Sequence, residues 1–204
     1  MPHFEFETRY APARVCGVDE AGRGPWAGPV VAAAVMFHHR DDIPDGLNDS
    51  KQLKRGARDV LFAQLLEANI AHGIGIASAE EIDTLNIWGA TQLAMRRAVE
   101  ALPIAPEIAL IDGKLHPKPF ACRTHPVIGG DAISLSVAAA SILAKVTRDR
   151  LMDDLALLYP EYGFARHAGY GTQLHREALA IHGPCPEHRR SYAPIRALLE
   201  KVAA

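Results

Sequence analysis

The run Val15-Cys16-Gly17-Val18-Asp19-Glu20-Ala21-Gly22-Arg23-Gly24-Pro25-Trp26-Ala27-Gly28-Pro29 places two adjacent carboxylates behind an apolar stretch and directly before a glycine-bracketed arginine. Two unpaired carboxylates in a part-buried strand are costly, so such a pair is expected to hold a cation or a proton. The glycines let main-chain groups come close to a sugar or phosphate. As neighbours on a period of two, Asp19 and Glu20 point to opposite faces of a strand and reach one site only where it ends and splays into a loop. Asp112, before Gly113, and Asp131, after Gly129-Gly130, are two more acids at element ends. Sites in α/β sheets gather at strand ends, so four carboxylates far apart in the chain can converge.

The elements that would carry these acids follow from the apolar periodicity. Val15 and Val18 with their small neighbours read as a buried strand, and 30–37 is an apolar run that reads as a second. Helical spacing covers 54–69, followed by an alternating strand over 70–77. A helix over 86–102 stops at Pro103, a short strand over 108–111 runs into Asp112, and 126–128 closes another strand before Asp131. A long helix starts at Ser134 and runs to Leu158, with an Ala138-Ala139-Ala140 stretch that lets it lie close on a sheet. Two more helices are expected over 172–181 and 192–202. Strands first, then alternating strand and helix, describe an α/β layer structure with a mixed sheet.

Composition sets limits. With 204 residues and 49% hydrophobic content the chain suits one domain with one well-buried core. No run of about 18 apolar residues occurs and the start lacks the apolar segment of a signal peptide, so a cytoplasmic protein away from membranes is expected. Three cysteines without a CxxC pair, Cys16, Cys122 and Cys185, argue against a disulfide framework. The net charge of -2 does not itself nominate a nucleic-acid binder. The distribution is more telling: residues 1–50 carry 4 basic and 8 acidic side chains, residues 138–204 carry 9 and 7, so the C-terminal third is the better phosphate-facing surface.

The stretch GVDEAGRGPWAGPVVAAAV resembles the first motif of the type 2 ribonuclease H family, the bacterial ribonucleases HII. Leu47-Asn48-Asp49-Ser50-Lys51 resembles that family's DSK motif, and Leu110-Ile111-Asp112-Gly113 its third-acid strand. Gly130-Asp131-Ala132 and Ser141-Ile142-Leu143-Ala144-Lys145-Val146-Thr147-Arg148-Asp149 are similar to its fourth-acid segment and helix. Gly169-Tyr170-Gly171-Thr172 and His188-Arg189-Arg190-Ser191 match its tail motifs, so the likeness runs in order from about Arg14 to Ile195.

The resemblance implies an RNase H-like fold: a central mixed five-stranded sheet flanked by helices, with additional helices at the C-terminal end. It implies a single catalytic domain over 1–204, with about 1–13 a short extension and about 160–204 a helical part carrying Tyr170. By motif, Asp19, Glu20, Asp112 and Asp131 become the catalytic and metal-binding acids, and Gly22, Arg23, Gly24, Ser50, Lys51 and Tyr170 the substrate contacts. The implied activity is an endonuclease that cuts the RNA strand of RNA–DNA hybrids and incises 5′ to a single ribonucleotide in duplex DNA, leaving 3′-hydroxyl and 5′-phosphate ends. Two Mn²⁺ or Mg²⁺ ions would suit the chemistry, since a divalent pair roughly 3.5–4 Å apart both ionises water and stabilises the leaving oxygen, and hard oxygen ligands select such ions. In this scheme Asp19 and Asp112 lie nearest both ions, Glu20 and Asp131 complete the coordination, Gly22-Arg23-Gly24 meets the 2′-hydroxyl and Tyr170 packs on the next sugar. A monomer is expected.

Two departures stand out: Ala168 replaces a lysine common before the Gly-Tyr pair, leaving Arg166 or His167 to supply that contact, and Trp26 replaces a common leucine. Rival readings are a noncatalytic nucleic-acid-binding module, which would be expected to lack an acid, and another RNase H-like enzyme such as a junction resolvase. The glycines from Gly22 to Gly28 do not make a dinucleotide fingerprint, because the spacing is one residue too long and a strand follows. His182, Cys185 and His188 offer only three zinc ligands in a proline-broken segment, and a loop is expected there.

Overall fold

The computed structural model describes residues 2–68, 70–114, 117 and 119–203. Five strands form one mixed sheet: β1 (Val15–Ala21), β2 (Val30–Phe37), β3 (Ile70–Ala77), β4 (Ile108–Asp112) and β5 (Arg123–Val127), in the order β3-β2-β1-β4-β5. The first three strands pair antiparallel, whereas β4 and β5 run parallel to β1. Among the described residues, the α-helices are α1 (Glu5–Arg9), α2 (Arg55–Glu67), α3 (Ala79–Glu100), α4 (Gly130–Ile133), α5 (Leu135–Leu158), α6 (Phe164–His167), α7 (Gln173–His182) and α8 (Ala193–Ala203). This is the central mixed five-stranded sheet flanked by helices that the resemblance implied. No helix among the described residues is long and apolar enough to cross a membrane.

The sheet is covered on both faces, which explains why β2 reads as a continuous apolar run: all eight of its residues are buried. Cys16, Val18, Ala32, Ala34 and Met36 pack under α3 with Ala94 and Ala98. Ala33, Val35 and Phe37 pack under α2 and α5 with Leu61, Leu65 and Ala139. The Ala138-Ala139-Ala140 run is fully buried, so small side chains do let α5 lie against the sheet. Ser134 caps α5, its hydroxyl accepting from the Val137 N–H, and Thr172 caps α7 in the same way through His175.

Several boundaries differ, most clearly the following. The helix expected over 86–102 begins earlier, at Ala79, under a reciprocal cap in which Ser78 and Glu81 satisfy each other's main-chain N–H groups. Asn86 then breaks it with φ 56° and starts the second segment, its Oδ1 accepting from the Trp88 and Gly89 N–H groups. The last strand spans Arg123–Val127 rather than ending at Ile128, and its Pro126 is tolerated because β5 is an edge strand. The helix expected to reach Asn69 ends at Glu67, and Asn69 itself lies outside the described residues.

Candidate active site

Alternation along β1 sorts its two acids. Cys16 and Val18 face α3, so Glu20 does too, and Asp19 faces α5 and α4. Parallel pairing of Val18 with Ile111 brings Asp112, on the next residue of β4, beside Asp19. Leu110 packs with Val137 of α5, which puts Asp112 on the same face as Asp19. Asp131 arrives from the first turn of α4, and Asp112 Oδ1 accepts a 2.7 Å bond from the Gly130 N–H just before it. One ligand oxygen from each of Asp19, Asp112 and Asp131 lies within 4.8 Å of the others.

Asp19, Asp112 and Asp131 form the tightest cluster of the expected four acids. Glu20, on the α3 side of β1, is close enough for its charge to raise Asp19, and its Oε1 accepts from Arg23 Nη1 at 3.2 Å. Arg23 in turn lies over the Trp88 ring at 5.6 Å. A further acid collects near the cluster: Asp49, in the Asp-Ser-Lys motif, hydrogen-bonds Asp131 and raises its pKa. Only the serine and lysine of that motif stood out in the sequence, yet the motif's acid is also at the site.

The electrostatics are those of crowded carboxylates. Asp19, 3% exposed, is pushed well above the ordinary carboxylate range by burial and then by the charges of Glu20 and Asp112. Burial also raises Asp131, with Asp112 and Asp49 adding to it. Burial raises Glu20 as well, although Arg23 works against it. Lys51 Nζ sits 3.6 Å from Asp131 Oδ2. Burial disfavours its ammonium, but Asp131, Asp19 and Asp49 outweigh that and raise its pKa.

Beside the acids, Gly22, Arg23, Gly24, Lys51 and Tyr170 share a cavity of about 270 Å³ with Glu20. Tyr170 is exposed at its rim. Ser50 also borders this cavity, but its hydroxyl is buried and shares a 2.7 Å hydrogen bond with Ser141, so it fixes the loop that carries Lys51. Of the two groups that could replace the missing lysine at Ala168, His167 is buried, its ring nitrogens bonded to Tyr162 and Gly169, while Arg166 is exposed. Trp26 packs behind the cavity against Gly171, with Arg176 over its ring.

The rival motifs resolve in the same way. The glycine loop after β1 leads into β2, a strand, which removes the dinucleotide reading. His188 gives both ring nitrogens to hydrogen bonds with His175 and Cys185, and His182 is exposed, so no zinc site forms there.

The family model described as Ribonuclease HII matches residues 16–195. The chain belongs to the ribonuclease HII family. A relative named Ribonuclease HII from Parvibaculum lavamentivorans is 58% identical over 98% of this chain and 74% of its own. Another Ribonuclease HII, from Xylella fastidiosa, is 51% identical over 98% of this chain and 87% of its own. Among solved structures, the ribonuclease H2 of Pyrococcus horikoshii superposes with a TM-score of 0.74 at 28% identity, covering 93% of this chain and 99% of that one. Family membership and the acid cluster together make this chain a ribonuclease H, a metal-dependent endonuclease of RNA–DNA hybrids.

Proposed function

We propose that the enzyme, beyond cutting the RNA strand of hybrids, incises 5′ to single ribonucleotides embedded in duplex DNA and leaves 3′-hydroxyl and 5′-phosphate ends. The observation that carries this reading is the placement of the glycine loop, Lys51 and Tyr170 around one cavity next to the acids. The donor set fits Mn²⁺ or Mg²⁺: three convergent carboxylates, two of them raised in pKa by burial first and then by mutual repulsion, are relieved when hard cations replace protons. Asp19, Asp112 and Asp131 would hold two such ions, with Glu20 contributing from the other face of β1. When bound, the ions supply the charge that lets water ionise near neutral pH and that stabilises the departing oxygen.

The protein's own groups do the rest. Gly22 and Gly24 leave the main chain open to a sugar, so its polar groups can meet the 2′-hydroxyl, the one group that separates RNA from DNA at a given position. The Lys51 ammonium, held above the ordinary lysine range, stays charged and meets a phosphate oxygen. The exposed Tyr170 ring offers a flat surface to the following deoxyribose. This three-sided contact orients the strand.

Cleavage of three labelled duplexes tests this: DNA with one ribonucleotide, the same sequence as all DNA, and an RNA–DNA hybrid. The expected result is cutting of the first and third, with one product ending in a 3′-hydroxyl. Equal cutting of the all-DNA duplex would overturn the assignment of the loop to the 2′-hydroxyl.

A further inference from the structure

We propose that Arg148 is a specificity-determining positioning residue that locks the glycine loop and the Tyr170 loop into one reading head. This inference rests on the junction reading above. Arg148 is 1% exposed on α5, and each of its hydrogen bonds goes to a main-chain carbonyl. Its Nε donates to Pro29 O at 3.0 Å and its Nη2 to Ala27 O at 3.2 Å, both in the loop that follows Gly22-Arg23-Gly24. The remaining Nη1 donates to Ala168 O at 3.0 Å, two residues before Tyr170. One planar, rigid fork thus touches both loops, which a flexible single-headed lysine cannot reproduce.

The surroundings leave this fork little freedom. At Gly22, with φ +98°, an added Cβ would lie 2.0 Å from Arg148 Nε, so the glycine that opens the loop also admits the arginine. At Gly169, with φ +81°, an added Cβ would lie 2.5 Å from Ala27 O, so the two loops touch directly. The Trp26 N–H donates to Gly169 O at 2.8 Å and closes the same seam. Arg189, fully buried, holds the other side of the glycine loop, donating to Gly22, Arg23, Gly28 and Pro29 carbonyls. Arg189 binds one loop only, whereas Arg148 binds both.

A head that must feel a ribose with one loop and the next deoxyribose with the other needs a fixed spacing between them. A uniform hybrid presents ribose at each RNA position and does not draw on that spacing. Loss of the fork therefore loosens junction reading more than hybrid cutting, and a misplacement of about 1 Å can cost on the order of 100-fold in rate.

The test measures kcat/KM for wild type, Arg148→Met, Arg148→Lys, Tyr170→Ala and the Arg148→Met/Tyr170→Ala double variant, on single-ribonucleotide duplex and on hybrid, with thermal melting beside them. Arg148→Met is expected to lose about tenfold more activity on the single-ribonucleotide duplex than on the hybrid. Arg148→Lys, which keeps the charge and serves if the methionine variant does not fold, is expected to lose selectivity in the same direction. The double variant is expected to fall no further on the junction substrate than Tyr170→Ala does, because the two residues act as a unit. Equal loss on both substrates with wild-type melting, or additive losses in the double variant, would overturn the role of Arg148 while leaving the junction reading intact. A wild type that does not cut the single-ribonucleotide duplex at its junction overturns that reading, and this inference with it.

Discussion

Two buried clusters, an acid wall at the strand ends and a histidine wall in the C-terminal helical part, solve opposite problems. At the strand ends, Asp19, Asp112 and Asp131 crowd their charges together, and burial raises the pKa of Asp19 and Asp131. In the C-terminal helical part, His175, His188 and Cys185 are just as hidden, yet their hydrogen bonds close on themselves. His175 Nδ1 donates to Tyr170 O, His188 Nε2 donates to His175 Nε2, and His188 Nδ1 accepts from the Cys185 N–H. That pattern requires both rings to be neutral, and burial first, with the neighbouring histidines adding to it, lowers each pKa to about 4. A wall left with uncompensated charge can take up cations, and a fully satisfied one holds its shape. The binding function needs the first next to the second.

The largest expected effect comes from the acid wall. Asp19→Asn should reduce cleavage by about 1,000-fold, the scale of losing charge stabilisation worth several kcal/mol. The same change should raise the melting temperature of the metal-free protein by removing a repelled charge. A variant that keeps a tenth of wild-type activity, or melts lower without metal, would erase the contrast between function and stability at that wall.

Titration sharpens the comparison because the two walls push stability in opposite directions. Carboxylates with raised folded pKa values make the protein most stable below the ordinary carboxylate range, and that stability is lost as pH rises through the raised values. Histidines with lowered values contribute stability that is present above about 6.5 and lost as pH falls towards about 4. Mn²⁺ should therefore raise the melting temperature more at pH 7.5 than at pH 5, with about 2.7 kcal/mol available at 100 times its Kd. A shift that is absent at pH 7.5, or larger at pH 5, contradicts the acid wall as the ion's site.

The satisfied wall can be broken at one atom pair. His175→Phe keeps a ring in the cluster but leaves the His188 Nε2–H without a partner and Tyr170 O with the Thr172 N–H alone, which should cost about 1–3 kcal/mol by denaturant unfolding. Part of the loss of stability between pH 6.5 and 4 should vanish with it. Smallest of all, Lys51→Met should change stability by less than about 1 kcal/mol, since Lys51 is mostly exposed where it pairs with Asp131. Its effect belongs in KM for the cleaved strand, and a larger change in unfolding than in KM would count against its place at the substrate.

Much of the site was legible because it lies in contiguous motifs at element ends. Strand alternation alone already set Asp19 and Glu20 on opposite faces, and that same rule puts Glu20 where it pairs with Arg23. The early start of α3 was also written in the chain, in Ser78 and Glu81, but the stronger apolar rhythm after Asn86 masked it. The arginine fork was not legible. Arg148 looks in sequence like one basic residue on a helix beside Asp149, and nothing local shows that it is buried.

The sequence by itself determined the strands, the long helix, the acids and the loop chemistry, because periodicity, caps and turn glycines act within a few residues. Only the tertiary structure decided which acids meet and which arginine joins the two loops. Those outcomes depend on parallel pairing of β1 with β4 and on α5 crossing beneath both loops, contacts between residues that lie far apart in the chain.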